Sequence, residues 1–252
     1  MQDYTLKKGL GQHFLTDEKI LDQIMQALGQ TSFENLLEVG PGGGALTRHL
    51  LQLTGVDFKA VELDEEKVDY LHKTYPALEG KVIHKSVLEM QPPFEKEFTL
   101  IGNFPYNISS QILFKVLDWK ALVPSVFGMF QKEVAQRIAS KEGSRDYGIL
   151  SVLIQANYDV TYLFDVPPEA FNPPPKVMSG VIRLTRRETP EAVSSDKQFK
   201  LLVKTAFNQR RKMLRNAVKG LFDPEFLKED IFSKRAEQLS VADFAGLSYK
   251  LK

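Results

Sequence analysis

The stretch Leu36-Leu-Glu-Val-Gly-Pro-Gly-Gly-Gly-Ala-Leu-Thr47 decides the fold. Its apolar first residues predict a β-strand, its glycines predict a tight turn, and a helix is predicted to begin at Thr47. Gly40 and Gly42 let the backbone approach a ligand closely, and the first helical turn offers unpaired N–H groups. A turn that binds nothing would have the same pattern. Other residues of the chain must therefore indicate whether this turn binds a ligand.

The same alternation of strand and helix continues on both sides of this stretch. Strands are predicted at 36–39, 58–62, 81–84, 98–102 and 125–130, and helices at 17–28, 47–53, 64–74, 109–119, 132–140 and 149–157. This alternation predicts a mainly parallel, Rossmann-like α/β sheet with helices on both faces and ligands beyond the carboxyl ends of its strands. Two later strands, 158–166 and 177–186, flank a Pro-rich link and are expected to form an antiparallel closing pair.

The remainder of the chain has a helical pattern without further strand signals. A polar stretch after Arg187 is typical of a linker, so we place a domain boundary near residue 190. It separates a sheet domain at 1–189 from a small all-helical domain at 190–252. About 60 residues bury little apolar surface alone, so we expect the helical domain to pack on the first.

The composition excludes some functions and favours others. The chain has 252 residues and no cysteine, which excludes disulfides, thiolate metal sites and a cysteine nucleophile. Its net charge is only +1, yet no acidic residue lies between Asp196 and Asp223. The basic residues in that window are Lys197, Lys200, Lys204, Arg210, Arg211, Lys212, Arg215 and Lys219. This segregation predicts a surface that binds phosphate groups, although a solvated helix face would also carry it.

The chain contains no uninterrupted run of about 18 apolar residues that could span a bilayer. Its first residues, Met-Gln-Asp-Tyr-Thr-Leu-Lys-Lys, are too polar for a secretory signal. We therefore expect a soluble, cytoplasmic protein.

Glu62 ends the second predicted strand, about 20 residues after the glycines. An acidic side chain at this place can accept hydrogen bonds from the hydroxyl groups of a ribose. Neither the glycines nor this carboxylate distinguishes a nicotinamide dinucleotide from an adenosyl sulfonium ligand. Glu38, within the first strand, fits a structural or capping acid equally well.

Asn103-Phe-Pro-Tyr106 follows the strand at 98–102 and discriminates between these ligands. The Asn103 side-chain carbonyl and the Phe104 backbone carbonyl can accept hydrogen bonds from both N–H groups of a planar amine, and Tyr106 can stack on its ring. Pro105 has no N–H, which helps to leave the Phe104 carbonyl unpaired. Two such acceptors raise the electron density on an adenine N6 nitrogen and stabilise the positive charge that grows there, so no general base is required. An ordinary turn would have the same sequence signals.

A base that is flipped out of structured RNA needs a second aromatic face. Phe171 is the candidate, because prolines on both sides, at 167–168 and 173–175, restrict the loop that carries it. Such a loop could present an exposed Phe at little entropic cost. A hydrophobic plug beneath the Pro-rich turn is the alternative interpretation.

Six segments in one order resemble the small-subunit ribosomal RNA adenine N6,N6-dimethyltransferases. They are Lys8-Gly-Leu-Gly-Gln-His-Phe-Leu15, Glu38-Val-Gly-Pro-Gly-Gly-Gly-Ala-Leu-Thr47, Asn103-Phe-Pro-Tyr-Asn-Ile-Ser109, Gln131-Lys-Glu-Val-Ala-Gln-Arg137, Phe171-Asn-Pro-Pro-Pro-Lys-Val177 and Phe207-Asn-Gln-Arg-Arg-Lys212. The resemblance covers nearly the whole chain. It implies a class I methyltransferase sheet with a small C-terminal helical domain, and S-adenosylmethionine as the cofactor.

The resemblance also implies a role for each matching residue. The cofactor-binding residues would be Gln12, His13, Leu15, Gly40, Gly42, Glu62, Ser86 and Asn103, the first three closing over its methionine end. The chemical site would be Asn103, Phe104, Pro105, Tyr106 and Phe171, and the RNA-binding residues Lys204, Arg210, Arg211, Lys212 and Arg215, with no metal. Ser86 departs from the family, whose members usually carry an Asp that meets the cofactor's adenine amine. A hydroxyl brings no charge, so we expect weaker adenine recognition, or recognition through backbone groups.

By resemblance the substrate is a pair of adjacent adenines in the 3′-terminal hairpin of 16S rRNA, read within an immature 30S subunit by a monomeric enzyme. Four alternatives stay open. A 23S rRNA adenine N6-methylase of the macrolide-resistance type is disfavoured by the near-neutral charge. A DNA adenine or protein glutamine methyltransferase is disfavoured by the Phe171 loop and the basic helices. Ser86 keeps a non-catalytic ribosome assembly factor open, and a nicotinamide dehydrogenase lacks any recognisable hydride-transfer acid.

Overall fold

The structure is a computed structural model that describes residues 13–252. Its contacts divide the chain into two compact units. One runs to Ala135 and includes Thr161–Thr185, and the other is made of Gln136–Val160 and Arg186–Lys252. No helix among the described residues is long and apolar enough to cross a membrane. Gln12, which the resemblance places at the cofactor, lies outside the described residues.

A mostly parallel β-sheet organises the first unit. The strands are β1 (Phe14–Leu15), β2 (Asn35–Val39), β3 (Asp57–Glu62), β4 (Val82–His84), β5 (Thr99–Asn103), β6 (Ser125–Gln131), β7 (Tyr158–Val166), β8 (Phe171–Asn172) and β9 (Ser179–Arg186). The seven-stranded sheet has the order β4-β3-β2-β5-β6-β9-β7, and β1 pairs with β8 separately. Strands β2 to β6 run parallel to their neighbours, and β9 runs antiparallel to β6. The predicted Rossmann-like α/β class is confirmed.

The helices follow the strands in the predicted alternation. They are α1 (Glu18–Leu28), α2 (Thr47–Leu50), α3 (Glu65–Thr74), α4 (Ser109–Asp118), α5 (Lys132–Ala139), α6 (Ile149–Gln155), α7 (Asp196–Asn208), α8 (Leu214–Val218) and α9 (Val241–Ser248). Asp17 and Asp64 cap α1 and α3, because each carboxylate accepts from backbone N–H groups of the first turn. Helix α2 is shorter than the predicted 47–53, since Gln52 and Leu53 donate to carbonyls three residues back in tighter turns.

The core of the first unit holds the functional motifs at one edge of the sheet. Helix α1 buries Leu21, Ile24 and Leu28 in a cluster that also contains Leu36 on β2 and Ile101 on β5. Because β2, β3 and β5 run parallel, their carboxyl ends lie at the same edge of the sheet. The glycine turn, Glu62 and Asn103 therefore lie at that edge. This is the edge where a parallel sheet binds its ligands.

The second unit is mainly helical. Helix α7 packs on α6, α8 and α9, and buries Phe199, Leu202 and Val203. Helix α6 buries Leu150, Val152 and Ile154 and lies against α7 and α9, so residues 136–160 group with the C-terminal residues. This grouping differs from the boundary expected near residue 190. As a division of function, that boundary stays a prediction.

Candidate active site

A cavity of about 180 Å³ lies at the carboxyl ends of β2, β3 and β5. Its wall includes every residue of the predicted cofactor set that the structure describes, namely His13, Leu15, Gly40, Gly42, Glu62, Ser86 and Asn103. Phe104, Pro105 and Tyr106 also line it. The glycine turn, the acidic residue of β3 and the asparagine turn therefore meet around one space.

The glycine turn depends on glycine at two positions. Gly40 and Gly42 have φ angles of +70° and +54°, in the left-handed region that residues with a Cβ rarely adopt. The Gly40 N–H donates to the Val61 carbonyl at 2.9 Å, which ties the turn to β3. A Cβ on Gly42 would lie 2.9 Å from the Phe14 ring. The turn is therefore packed closely against β1.

Glu62 is a buried carboxylate held by backbone donors. Its Oε2 accepts from the Gly42 N–H at 3.1 Å, and its Oε1 accepts from the N–H groups of Leu63 and Asp64 at 2.8 and 3.0 Å. A carboxylate offers about four acceptor positions, so Glu62 retains capacity for a hydroxyl donor from the cavity that it lines. This arrangement fits the ribose of an adenosyl ligand.

Glu38 has a different environment, although it lies on the same cavity. Its side chain is buried and accepts from the Thr47 hydroxyl at 2.7 Å. Burial raises the pKa of Glu38 to about 8, with the Thr47 hydrogen bond opposing and the charge of Glu62 adding to the increase. Glu38 therefore keeps its proton near pH 7, which fits a structural acid.

Two acceptors of the asparagine turn have no partner among the residues that the structure describes. Asn103 Nδ2 donates to the His13 carbonyl at 2.9 Å, which leaves Oδ1 as the unengaged end of the amide. The Pro105 carbonyl accepts from the Ile108 N–H, and the Tyr106 carbonyl accepts from the Ser109 hydroxyl, both at 3.1 Å. No donor among residues 13–252 is paired with Asn103 Oδ1 or with the Phe104 carbonyl oxygen. These are the two oxygens that the sequence predicts as acceptors for an amine.

The Phe104 side chain anchors this turn in the core. Its ring is 1% exposed and lies 5.2 Å from the Phe130 ring, centroid to centroid, at 73°. A Cβ on Gly102 would approach the Phe104 ring to 2.8 Å, and one on Gly128 would approach it to 2.5 Å. Two glycines on adjacent strands thus make a slot for the ring, which holds the Phe104 backbone in place.

Tyr106 is half-buried between two partners. Its hydroxyl is hydrogen-bonded to the Ser179 hydroxyl, and its ring stacks on the His13 ring with 5.6 Å between centroids and 29° between planes. Burial raises the pKa of Tyr106, with the Ser179 hydrogen bond opposing. The phenol therefore stays neutral across the physiological range.

The expectation that Phe171 is exposed is wrong. Its side chain is 3% exposed and belongs to the core cluster with Leu15 and Val166. Successive residues of a β-strand point to opposite faces, so Phe171 is buried while Asn172 is exposed. Phe171 is also paired with the buried Leu15 of β1. In this arrangement Phe171 packs beneath the strand and presents no face to the cavity.

Among the apolar residues of the cavity wall, sequence reasoning missed the exposed Leu63. Leu63 lines the cavity and is 54% exposed, which gives a flat ring an apolar surface next to Glu62. The sequence signal that could have identified Leu63 is its position between Glu62 and Asp64, directly after a strand. Ser86 lines the same cavity, and its Oγ accepts from the Leu88 N–H at 3.3 Å, so its hydroxyl hydrogen remains available to a ligand.

The basic residues of the second unit divide into two kinds. Arg211, Lys212, Arg215 and Lys204 are exposed. The Arg210 guanidinium is instead engaged within the unit: it donates to the carbonyls of Ser144 and Arg145, and its Nε lies 3.7 Å from Glu237. Arg210 therefore ties the loop after α5 to the C-terminal residues.

Comparison with known proteins matches this chain to one family over almost its full length. Residues 4–250 match the family model of ribosomal RNA adenine dimethylases. The chain is 48% identical to the ribosomal RNA small subunit methyltransferase A of Cytophaga hutchinsonii, covering 100% of this chain and 99% of the relative. It is 51% identical to the protein of the same name from Phocaeicola vulgatus, covering 98% and 89%.

Solved structures agree with this match. A dimethyladenosine transferase from Plasmodium falciparum superposes with a TM-score of 0.78 at 26% identity, covering 92% of this chain and 94% of that one. The 23S rRNA methyltransferase ErmE superposes with a TM-score of 0.67 at 23% identity, covering 92% and 99%, which shows the same fold. With its sheet, its cavity and its asparagine turn in place, this chain belongs to the ribosomal RNA adenine dimethylase family.

Proposed function

We propose that this protein dimethylates N6 of two adjacent adenines in the 3′-terminal hairpin of 16S rRNA during assembly of the small subunit. Family membership and the names of the bacterial relatives support an rRNA substrate of the small subunit. The observation that carries the chemistry is a pair of acceptors at the cavity, Asn103 Oδ1 and the Phe104 carbonyl, to which no donor within residues 13–252 is bonded.

The cavity has the groups that S-adenosylmethionine requires. Glu62 would accept from the ribose, and Leu63 and Ser86 would contact the adenine, Ser86 without the charge of an aspartate. Gly40 and Gly42 would let the backbone lie close to the ligand. When bound, this cofactor supplies an electrophilic methyl group.

The asparagine turn would orient and activate the amine. Asn103 Oδ1 and the Phe104 carbonyl accept its two N–H bonds, which draws the nitrogen lone pair out of conjugation with the ring. The same two oxygens stabilise the positive charge that develops on nitrogen, because they are already fixed by the His13 contact and by the buried Phe104 ring. Once the nitrogen had gained a methyl group, and with it a positive charge, it would lose a proton to water, so no side chain would have to act as a base.

In this proposal, Tyr106 stacks on the substrate base. Its neutral ring lines the cavity, whereas Phe171 is held in the core. We assign Phe171 the role of packing β8 against β1. The phenol of Tyr106 is oriented by Ser179, which limits rotation of the ring.

The exposed cations of the second unit supply the RNA-binding surface of this proposal. Arg211, Lys212, Arg215 and Lys204 would contact phosphates, whereas Arg210 would support the loop to which it is bonded. We further propose that the enzyme is a cytoplasmic monomer, that it uses no metal, and that its substrate is an immature 30S particle. The RNA-binding function would belong to residues 190–252.

A methylation assay on ribosomal subunits tests the proposal. Purified protein with radiolabelled S-adenosylmethionine is incubated with immature 30S particles that lack adenine dimethylation. We expect label in 16S rRNA, and mass spectrometry should find N6,N6-dimethyladenosine at two adjacent positions of the 3′-terminal hairpin. An Asn103→Ala variant serves as the inactive control.

Two results would contradict the proposal. Label in 23S rRNA with none in 16S rRNA would identify a large-subunit methylase. Binding to 30S particles with no methyl transfer, while the cofactor also fails to bind in calorimetry, would identify a non-catalytic assembly factor.

A further inference from the structure

We propose that His13 is a positioning residue for methyl transfer, which orients both Asn103 and Tyr106 through contacts of its own backbone and ring. The inference rests on the proposed function, because the groups that His13 orients are those assigned to the amine and the base. It differs from the role implied by resemblance, in which His13 contacts the cofactor.

The backbone of His13 determines which end of the Asn103 amide is free. A carbonyl oxygen only accepts hydrogen bonds, so the 2.9 Å contact between Asn103 Nδ2 and the His13 carbonyl requires the NH2 end of the amide to point at His13. The Oδ1 end is then left for the amine. A rotation of the amide by 180° would present an NH2 group to another NH2 group, and one of the two substrate hydrogen bonds would be lost.

The ring of His13 contacts the second group of the same turn. It stacks on the Tyr106 ring at 5.6 Å and 29°, while the Ser179 hydroxyl holds the Tyr106 phenol. One contact acts on the face of the Tyr106 ring and the other acts on its hydroxyl. Its orientation therefore depends on His13 as well as on Ser179.

His13 is itself held by the loop after β8. Its Nδ1 donates to the Pro173 carbonyl at 2.9 Å, since the carbonyl must be the acceptor. The segment that follows His13 is fixed by the residue that precedes β8, because the N–H groups of Thr16 and Asp17 donate to the Ala170 carbonyl at 2.8 and 3.3 Å. The ring contact and these backbone contacts together place the His13 carbonyl and its ring.

Three substitutions separate positioning from cofactor contact. His13→Ala removes the ring and the donor, whereas His13→Asn keeps an N–H near the place of Nδ1 for the Pro173 carbonyl. With saturating cofactor and RNA we expect His13→Ala to lower kcat by about tenfold to a hundredfold, because misplacement of reacting groups acts on the chemical step. The KM for RNA and the Kd for S-adenosylmethionine should stay within about threefold. His13→Asn should recover part of kcat, and His72→Ala, on the exposed face of α3, should match the parent protein.

A nuclear magnetic resonance measurement gives a readout that does not require turnover. The side-chain amide signals of Asn103, assigned through Asn103→Ala, should show slow hydrogen exchange in the parent protein and faster exchange in His13→Ala. If His13→Ala does not fold, His13→Phe decides, because it keeps a ring against Tyr106 but has no donor for Pro173. The same loss of kcat and of exchange protection is expected there.

Several outcomes would overturn the inference. An unchanged kcat in His13→Ala, a loss confined to the Kd for S-adenosylmethionine, or unchanged Asn103 amide exchange would each leave His13 as a cofactor contact only. A parent protein that transfers no methyl group would refute the proposed function instead. In that case the amide exchange still decides whether His13 orients Asn103.

Discussion

The asparagine turn at 103–106 and the basic segment at 210–215 use polar groups in opposite ways. In the turn, Asn103 Nδ2 is bonded to the His13 carbonyl and the Phe104 ring is buried, while Asn103 Oδ1 and the Phe104 carbonyl have no donor among the described residues. In the basic segment, most cations are exposed, and Arg210 alone among the predicted RNA-binding arginines has a guanidinium bonded to backbone carbonyls of the described residues. In the proposed function, catalysis would depend on a few rigidly held atoms, whereas RNA binding would depend on a sum of charges.

Phe171→Ala should produce the largest effect, because it tests the packing on which the rigid region depends. Removing a Phe side chain from a well-packed core costs about 3–5 kcal/mol of unfolding free energy. Urea unfolding measures the change, and Phe33→Ala, at a partly buried position of the same core, is the control and should cost less. A change below about 1 kcal/mol would mean that the Phe171 side chain is not packed as described.

Asn103→Ala should lower kcat by about 10²–10³-fold, as loss of one preorganised group at a site of developing charge does elsewhere. The Kd for S-adenosylmethionine should stay within about tenfold, since Glu62 and the glycine turn are untouched. Asn35→Ala is a matched control, because Asn35 also donates its side-chain amide to a backbone carbonyl, that of Glu97 at 2.8 Å. Retained turnover in Asn103→Ala would remove the amide from the mechanism.

Glu38→Gln should change how stability depends on pH. The pKa of Glu38 is raised from its ordinary value of 4.5 to about 8, so between these values the unfolded chain loses a proton that the folded protein keeps. The folded state therefore loses stability as pH rises through this window, by at most about 1.4 kcal/mol per pH unit from this group, and the loss levels off above pH 8.

Urea unfolding at pH 5 and pH 8 measures this effect. The stability of Glu38→Gln relative to the parent protein should increase between the two pH values, because glutamine does not ionise and can still accept from the Thr47 hydroxyl. A constant difference between the two proteins would show that Glu38 is ionised in the folded state at neutral pH.

Arg210→Ala and Arg211→Ala should give the smallest effects and should differ in kind. Arg211→Ala removes an exposed charge, so the slope of log K for RNA against log salt should become shallower by about 1. Arg210→Ala should leave that slope unchanged and lower the unfolding free energy by about 1 kcal/mol, because its contacts lie within the protein. Filter binding over a range of salt concentrations measures the slope for both variants, and urea unfolding measures their unfolding free energies. A reduced slope for Arg210→Ala would place it among the phosphate contacts.

Much of the fold was predictable, because it depends on local pattern. Alternation of strand and helix from 36 to 131 and acids at helix starts are short-range signals, and they predict the order of elements well. The length of α2 and the membership of α6 in the second unit were not predictable. Both depend on what the elements pack against, which no short window of sequence contains.

The polar residues and glycines that line the cavity were identifiable from residue type, because each predicted chemistry needs a particular donor or acceptor at a strand end. The available donors and acceptors at Gly40, Gly42, Glu62 and Asn103 follow from residue type, which is read directly from the sequence. The burial of Phe171 was not identifiable from sequence. Which face of β8 is buried depends on its pairing with β1, and β1 is far from β8 in the chain. The engagement of Arg210 is similar, because its partners come from 144–145 and 237.

By itself, the amino-acid sequence determined the family, the order of strands and helices, and the identity of the groups able to bind an adenosyl ligand and an amine. Only the tertiary structure decided which of those groups are free to act. In the described part of the chain, no donor is bonded to Asn103 Oδ1 or to the Phe104 carbonyl, while Phe171 is buried and Arg210 is bonded within the protein. The physical reason is that residue type sets what an atom can donate or accept, whereas long-range packing sets whether a partner already occupies it.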